Sequence, residues 1–146
     1  MRRLLLLLPV AILAAALIGA SGCGAAATDN AKDRTGAKKD VAQAIDDFAS
    51  AARKGDEGKI CNELIAPALR AKLAARAKAT GRGADCSDQL HDSIRDADQF
   101  DMRVDSISIS GRTATVRVTT KTPQDPDPVD TVTLVDQRGW RISALS

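Results

Sequence analysis

The hydrophobic period of the chain changes near its middle, and this change restricts the possible folds more than any other feature. In the first half, apolar residues recur at helical spacing, as at Val41, Ile45, Phe48 and Ala52, which lie at i, i+4, i+7 and i+11. In the second half the period is 2, as in residues 113–119, where Ala and Val alternate with Thr and Arg. Helices followed by strands in one short chain predict an α+β domain, with N-terminal helices packed on a curved antiparallel β-meander.

Start and stop signals divide the first half into several helices. Asp40 is a suitable N-cap for the first helix, and Gly55 is a suitable stop. A short helical turn is expected at residues 60–65, and Pro67 suits the first position of the next helix. Ser87 can cap a last helix. We therefore expect the longest helix to begin at Asp40 and the last to begin near Ser87.

Turn signals divide the second half into four strands. Residues 110–112 and 136–139 contain the Gly-containing turns of two hairpins, and the three prolines within residues 122–128 exclude a central strand there. The alternation before the first turn changes phase at Asp105-Ser106. Because one face of the strand must stay buried on both sides of that point, we expect a β-bulge there.

The N-terminus has the features of an export signal. Arg2-Arg3 precedes an apolar run of 15 residues, Leu4–Ile18, which is short of a comfortable membrane span of about 20 residues. The small residues Ala20-Ser21-Gly22 then lead directly to Cys23. This order of features resembles a bacterial lipobox. The resemblance implies that residues 1–22 are a lipoprotein signal peptide and that a lipid on Cys23 anchors the chain to the extracytoplasmic side of the cell membrane.

Two other interpretations of this segment remain open. Ordinary cleavage after the alanines at 25–27 would remove Cys23, and an uncleaved anchor would keep the whole leader. All three place the rest of the chain outside the cytoplasm. Residues 24–39 lack hydrophobic periodicity, so we expect residues 23–39 to be a lipidated cysteine followed by a flexible tether with a root-mean-square reach of roughly 20 Å. Residues 40–146 would then form a single domain.

Charge and aromatic content argue against nucleic acid as a partner. Removal of residues 1–22 lowers the number of Lys and Arg residues from 21 to 19, which equals the 19 Asp and Glu residues. The mature chain therefore has no formal net charge, and its only aromatic residues are Phe48, Phe100 and Trp140. Nucleic-acid binding generally requires a basic patch or stacking rings, and the sequence predicts neither.

The cysteines favour a disulfide over reactive chemistry. If Cys23 carries lipid, Cys61 and Cys86 are the remaining pair in an exported domain, which predicts a bond between them. A zinc site or a nucleophile pair formed by these thiols with His91 is disfavoured, since exported thiols oxidise and the chain contains no Cys-x-x-Cys pair. Asp46 and Asp47 are adjacent on a helix and point in different directions. We therefore predict no catalytic residues, no metal and no cofactor.

Four segments resemble the nuclear-transport-factor-2-like superfamily, also called the cystatin-like cone. They read VAQAIDDFASAARKGD, ICNELIAPALRAKL, VDSISISGRTATVRV and VTLVDQRGWRI. The resemblance covers about residues 40–145 and implies a helix packed across a curved sheet, with a concave cavity between them. The residues expected to line that cavity, unless they form plain core, are Phe48, Leu69, Val116 and Trp140.

Three functions follow from these observations. The first is a non-catalytic interaction or accessory domain of the cell envelope, with an envelope protein as its partner. The second is a binder of a small apolar ligand in the cone pocket. The third is an isomerase or cyclase-like enzyme of the kind found in the superfamily, which is disfavoured because the chain has no tyrosine to act as an oxyanion donor and only one histidine.

Overall fold

A four-stranded antiparallel sheet carries the helices on one of its faces, as expected for an α+β domain. The structure is a computed structural model, and it describes residues 28–95, 100–121 and 127–146. In chain order its elements are α1 (Gly36–Arg53), α2 (Glu57–Lys59), a π-helical turn (Ile60–Leu64), α3 (Pro67–Thr80), α4 (Cys86–Ile94), β1 (Asp101–Ser110), β2 (Thr113–Lys121), β3 (Val129–Asp136) and β4 (Trp140–Leu145). None of the helices in these residues combines the length and the apolar character needed to cross a bilayer.

The sheet is the predicted meander, with strand order β1-β2-β3-β4 and every pair antiparallel. The register of β1 against β2 shifts between Val104 and Ser106, which confirms the bulge expected at Asp105-Ser106. A second shift, between Thr133 and Leu134, bends the β3–β4 pair. Bulges increase the local twist and bend of a strand. They let the apolar residues on either side of the shift remain on the helical face.

Helix α1 packs across the sheet through an apolar stripe. Val41, Ile45 and Phe48 are buried, with Val41 and Ile45 completely removed from solvent. The strand residues of the same core cluster are Met102, Val104, Ala114, Val116, Val118, Val132, Leu134 and Ile142. The period-3.6 and period-2 patterns of the sequence therefore mark the two surfaces that face each other.

The longest helix starts earlier than predicted. Its N-cap is Thr35 and its first residue is Gly36, so Asp40 lies exposed within the helix instead of capping it. The residues between them, Ala37, Lys38 and Lys39, all have high helix propensity, and nothing in them ends a helix. The predicted stop is confirmed, because α1 ends at Arg53 and Gly55 adopts a left-handed φ of +62°.

The last helix is capped two residues earlier than predicted. Asp85, and not Ser87, is the N-cap of α4. The Asp85 carboxylate accepts the backbone N–H of Asp88 at 3.1 Å, and the Asp88 carboxylate accepts the N–H of Asp85 at 3.0 Å. This reciprocal capping box satisfies two N–H groups at once, which a serine at position 87 cannot do for the first turn.

Candidate functional sites

The predicted disulfide is present and joins two helical elements. Cys61 lies in the π-helical turn and Cys86 is the first residue of α4, with their Cα atoms 6.0 Å apart. Both residues are buried at the edge of the core. The bond closes a sequence separation of 25 residues that includes all of α3. Because both sulfurs are bonded to each other, neither is a thiolate that could ligate a metal or attack a substrate.

His91 faces solvent near the same helices. Its Nδ1 atom lies 3.0 Å from a carboxylate oxygen of Glu57, and its side chain is 67% exposed. The pair links α4 to α2. Within the parts of the chain that the structure describes, no group of three or more His, Cys, Asp or Glu residues is arranged to hold a metal ion.

The four residues expected to line a cone pocket lie in different surroundings. Phe48 and Val116 are buried in the core, and Leu69 and Trp140 pack at its margin. Phe48 also contacts Phe100 edge-on, with ring centroids 6.4 Å apart. Helix and strand side chains therefore interdigitate at Phe48 and Val116, where the resemblance implied a concavity.

Trp140 is half-buried. It begins β4 directly after the turn at residues 137–139, so one side of its indole lies beyond the edge of the core. That side borders a groove of about 430 Å³ between α1 and the β3–β4 turn. The residues lining this Trp140 groove are Asp40, Gln43, Ala44, Asp47, Leu64, Asp136, Gly139 and Trp140.

A second groove lies beside the disulfide, between α3 and α4. It has a volume of about 380 Å³ and includes both cysteines, the side chain of Arg70 and the first residues of α4. Arg70 donates a long hydrogen bond of 3.4 Å to Asn62. The groove therefore combines an apolar disulfide wall with a partly engaged guanidinium.

A segment that sequence reasoning treated as tether is packed on the domain. We call residues 28–34 the N-terminal strap. Within it, Asn30 and Ala31 are 5% and 3% exposed, which is as buried as much of the core. Residues 23–27 of the predicted tether lie outside the described residues, as do the predicted signal peptide and Cys23. The described remainder, residues 28–39, comprises the strap, the N-cap Thr35 and the first turn of α1.

The side chain of Asn30 takes the place of a neighbouring strand at the free edge of β1. Its Nδ2 donates to the carbonyl oxygen of Met102 at 2.7 Å, and its Oδ1 accepts the backbone N–H of Val104 at 2.7 Å. A carboxamide has the same donor and acceptor as a peptide group, so it satisfies both edge groups as a fifth strand would. The contact lies immediately before the β1 bulge.

Asp46 on α1 holds Asn30 from the opposite side. Its carboxylate accepts the backbone N–H of Asn30 at 3.0 Å, the Nδ2 of Asn30 at 2.6 Å and the backbone N–H of Ala31 at 3.3 Å. Burial raises the pKa of Asp46, while these hydrogen bonds act to lower it and nearby Asp29 adds to the rise. Burial is the largest of these effects, so the net direction is upward.

Both ends of the strap are also fixed. The backbone N–H of Thr28 donates to the Asp101 carboxylate at 3.3 Å, and the Thr28 hydroxyl donates to the same group. Asp101 in turn lies 3.7 Å from the guanidinium of Arg53 at the end of α1. At the other end, Arg34 donates to the carbonyl oxygen of Val104 at 3.1 Å. The strap therefore runs beside β1 and in the same direction.

The hydrophobic periods and the cap and turn residues that predict the helices and strands do not identify the strap. Its contacts depend on scattered polar side chains, two carboxylates of the domain and backbone groups, and Ala31 is its only buried apolar residue. An isolated Asn or Asp in a polar segment is usually a turn residue, and only tertiary structure shows what it faces.

Comparison of the chain with models of protein families, with curated proteins and with solved structures found no match.

Proposed function

We propose that the protein is a membrane-tethered extracytoplasmic lipoprotein. Its domain, a nuclear-transport-factor-2-like cone, would act as a non-catalytic interaction or accessory domain of the bacterial cell envelope. The observation that carries this proposal is the pairing of Cys61 with Cys86. The chain has three cysteines, so the pairing leaves Cys23, directly after the export-like leader, as the one that the domain does not use.

The disulfide supports an extracytoplasmic location. Structural disulfides persist in oxidising compartments and are rare in the cytoplasm, where thiols are kept reduced. The leader at residues 1–22 has the basic start, the apolar run and the small residues of an export signal. These two features are independent of each other, and both favour a mature chain that works outside the cytoplasm.

The positions of the reactive residue types support interaction over catalysis. Two of the three thiols are bonded to each other, the imidazole of His91 pairs with Glu57 at the surface, and the carboxylate of Asp46 binds the strap. Each of these groups thus has a structural partner. A domain whose reactive groups are engaged in this way is suited to work through its surface.

The outer face of the sheet is the surface we assign to such contacts. Thr113, Thr115 and Arg117 of β2 are exposed, and Ser108 of β1 is exposed beside Thr115. Hydroxyl and guanidinium groups on a regular sheet offer several hydrogen-bond donors at fixed spacing. This is a surface suited to a polar protein partner.

The anchor is tested by expressing the full chain in a bacterium and comparing it with Cys23→Ser. Lipidation predicts a mature chain that begins at residue 23, carries the added mass of the acyl groups and sediments with membranes. Two acyl chains suffice for stable attachment, so Cys23→Ser should be released or remain a precursor. A mature wild-type chain that begins at Thr28 and is soluble would instead indicate ordinary cleavage and would overturn the anchor.

The interaction surface is tested by photo-cross-linking in the source bacterium. A photoreactive residue at Thr115 should give a discrete cross-linked species of one mass. The same residue at Arg82, an exposed position between α3 and α4, serves as the matched control. Absence of a discrete species at Thr115, or equal labelling at both positions, would contradict the proposed surface.

The Trp140 groove favours a second candidate, the binding of a small ligand. Of the four residues expected to line a pocket, Trp140 borders a groove of about 430 Å³, which is within the size range of ligand sites. Native mass spectrometry of the protein purified from its own host tests this candidate. A retained small molecule that is lost in Trp140→Ala would support it, and a chain of the unliganded mass would contradict it.

A further inference from the structure

We infer that the bound N-terminal strap attaches the membrane anchor to the end of the domain opposite the Trp140 groove. The end that carries this groove then cannot rest on the lipid surface. This inference rests on the proposed lipid at Cys23 and adds an orientation to it. We call the end of the sheet at Asp101 the near end. The far end is the opposite end, with the two turns at residues 111–112 and 137–139.

The two ends are distinct and well separated. Strand β1 runs from Asp101 at the near end to Ser110 at the far end, a length of about 30 Å at the usual rise per residue. The β3–β4 turn lies at the far end as well, because the backbone N–H of Asp136 donates to the carbonyl oxygen of Arg112 at 2.9 Å. The Trp140 groove therefore lies at the far end.

Helix α1 runs in the direction opposite to β1. Its last residue, Arg53, contacts Asp101 and the carbonyl oxygen of Phe100 at the near end, whereas Asp40 in its first half borders the Trp140 groove. Its 18 residues span about 25 Å. A chain that simply led into α1 would therefore leave the domain at the far end, next to the groove.

The strap moves this exit point to the near end. Proceeding backwards from α1, the chain passes Val104 at Arg34, then Met102 at Asn30, and reaches Asp101 at Thr28. Four residues separate Thr28 from Cys23. Five peptide units extend at most about 18 Å, which is less than the roughly 30 Å length of the sheet. With the strap bound, the far end cannot rest on the lipid while the near end points outward.

Release of the strap would remove this restriction. The free chain would then run from Cys23 to Gly36, or 13 peptide units, with an extended limit of about 47 Å. Its attachment point would be the start of α1, at the far end. Binding of the strap is favoured because it pairs the edge groups of β1 and gives the partly buried Asp46 carboxylate three N–H donors.

Trp140 reports on the far end directly, because it is the only tryptophan in the chain. The test uses the lipidated full chain reconstituted in phosphatidylcholine vesicles that carry a dansyl headgroup label. Energy transfer from Trp140 to the label should be weak. A second protein, with Trp140→Phe and Lys121→Trp, places the indole at the near end, since Lys121 pairs with Asp101, and its transfer should be stronger.

Asn30→Ala, which removes the central contacts of the strap, should raise transfer from Trp140 towards the near-end value. Lys32→Ala changes an exposed residue of the same segment and is the matched control, with no expected change. Far-UV circular dichroism and an intact disulfide establish that each variant is folded. Arg34→Ala provides a milder release should Asn30→Ala not fold.

The outcomes separate this inference from the anchor itself. Wild-type protein that sediments with vesicles but shows equal transfer from both positions would overturn the orientation alone. The same holds if folded Asn30→Ala and Arg34→Ala leave transfer from Trp140 unchanged. Wild-type protein that does not sediment would overturn the lipid anchor, and the orientation with it. Weak far-end transfer that rises on release of the strap would establish the inference.

Discussion

The N-terminal strap and the apolar stripe of α1 are held to the same sheet by opposite means. The stripe places Val41 and Ile45 against fully buried strand residues and needs no specific partner atoms. The strap contributes one buried apolar residue, Ala31, and otherwise depends on hydrogen bonds, with those of Asn30 to β1 and to Asp46 at its centre. Apolar packing scales with area, whereas a buried polar contact depends on every donor meeting its acceptor. The stripe should therefore contribute more stability, and the strap more positional specificity.

The largest expected effect comes from a substitution in the apolar core against which the α1 stripe packs. Leu134→Ala, at a fully buried position in β3, should lower the free energy of unfolding by about 2–5 kcal/mol, because it leaves a cavity. Leu145→Ala is the matched control, since Leu145 is 52% exposed, and should change it by less than about 0.5 kcal/mol. Urea unfolding followed by circular dichroism measures both. Similar losses for the two leucines would mean that the core is not packed as described.

The disulfide holds α4 to the π-helical turn covalently, independently of both the stripe and the strap. Replacing both cysteines, Cys61→Ser with Cys86→Ser, frees a loop with a separation of 25 residues. The loss should be about 3 kcal/mol if loop-closure entropy dominates. The same urea measurement, with and without reductant, tests this. A wild-type protein whose unfolding midpoint is unaffected by reduction would contradict it.

The strap itself should contribute less. Asn30→Ala leaves the carbonyl of Met102 and the N–H of Val104 without the amide and should cost about 1–3 kcal/mol if the strap stays in place. The cost would be smaller if the strap detaches and water replaces it. Asn62→Ala is the matched control, because Asn62 is exposed and its side chain makes exposed hydrogen bonds, one to the carbonyl oxygen of Gly58 and a long one from Arg70. Amide hydrogen exchange at Val104 distinguishes a detached strap, since exchange there should accelerate. Unchanged protection would show that Asn30 does not cover this edge.

The smallest effect is a pH dependence at Asp46. Burial raises the pKa of Asp46 above its usual value of 3.8, so the folded protein binds more protons than the unfolded chain between that pH and the raised value. The contribution of Asp46 to stability is therefore complete below pH 3.8 and is lost as the pH rises through the raised value. Asp46→Asn should remove this contribution to the pH dependence of the free energy of unfolding, whereas Asp47→Asn should leave it in place. A slope of opposite sign in the wild-type protein relative to Asp46→Asn would mean that the three hydrogen bonds outweigh burial.

The sequence predicted the candidate sites unevenly. The Cys61–Cys86 bond followed from the number of cysteines, and the β1 bulge followed from the phase change at Asp105-Ser106. The lining of a pocket did not follow from the sequence in this way, since Phe48 and Val116 are core residues and Trp140 borders a surface groove. An apolar residue at the correct period is predicted to face inward, but whether it meets another side chain or an open space depends on the opposite layer.

The sequence by itself determined the α+β architecture, the meander and the disulfide, because each depends on a local period, a turn residue or a count. The tertiary structure alone decided the attachment of the strap and the far-end position of Trp140. These depend on contacts between residues that are distant in the chain, such as Asn30 with Met102 and Val104. A single amide that completes the edge of a sheet has no periodic signature, and its partners exist only once the sheet has formed.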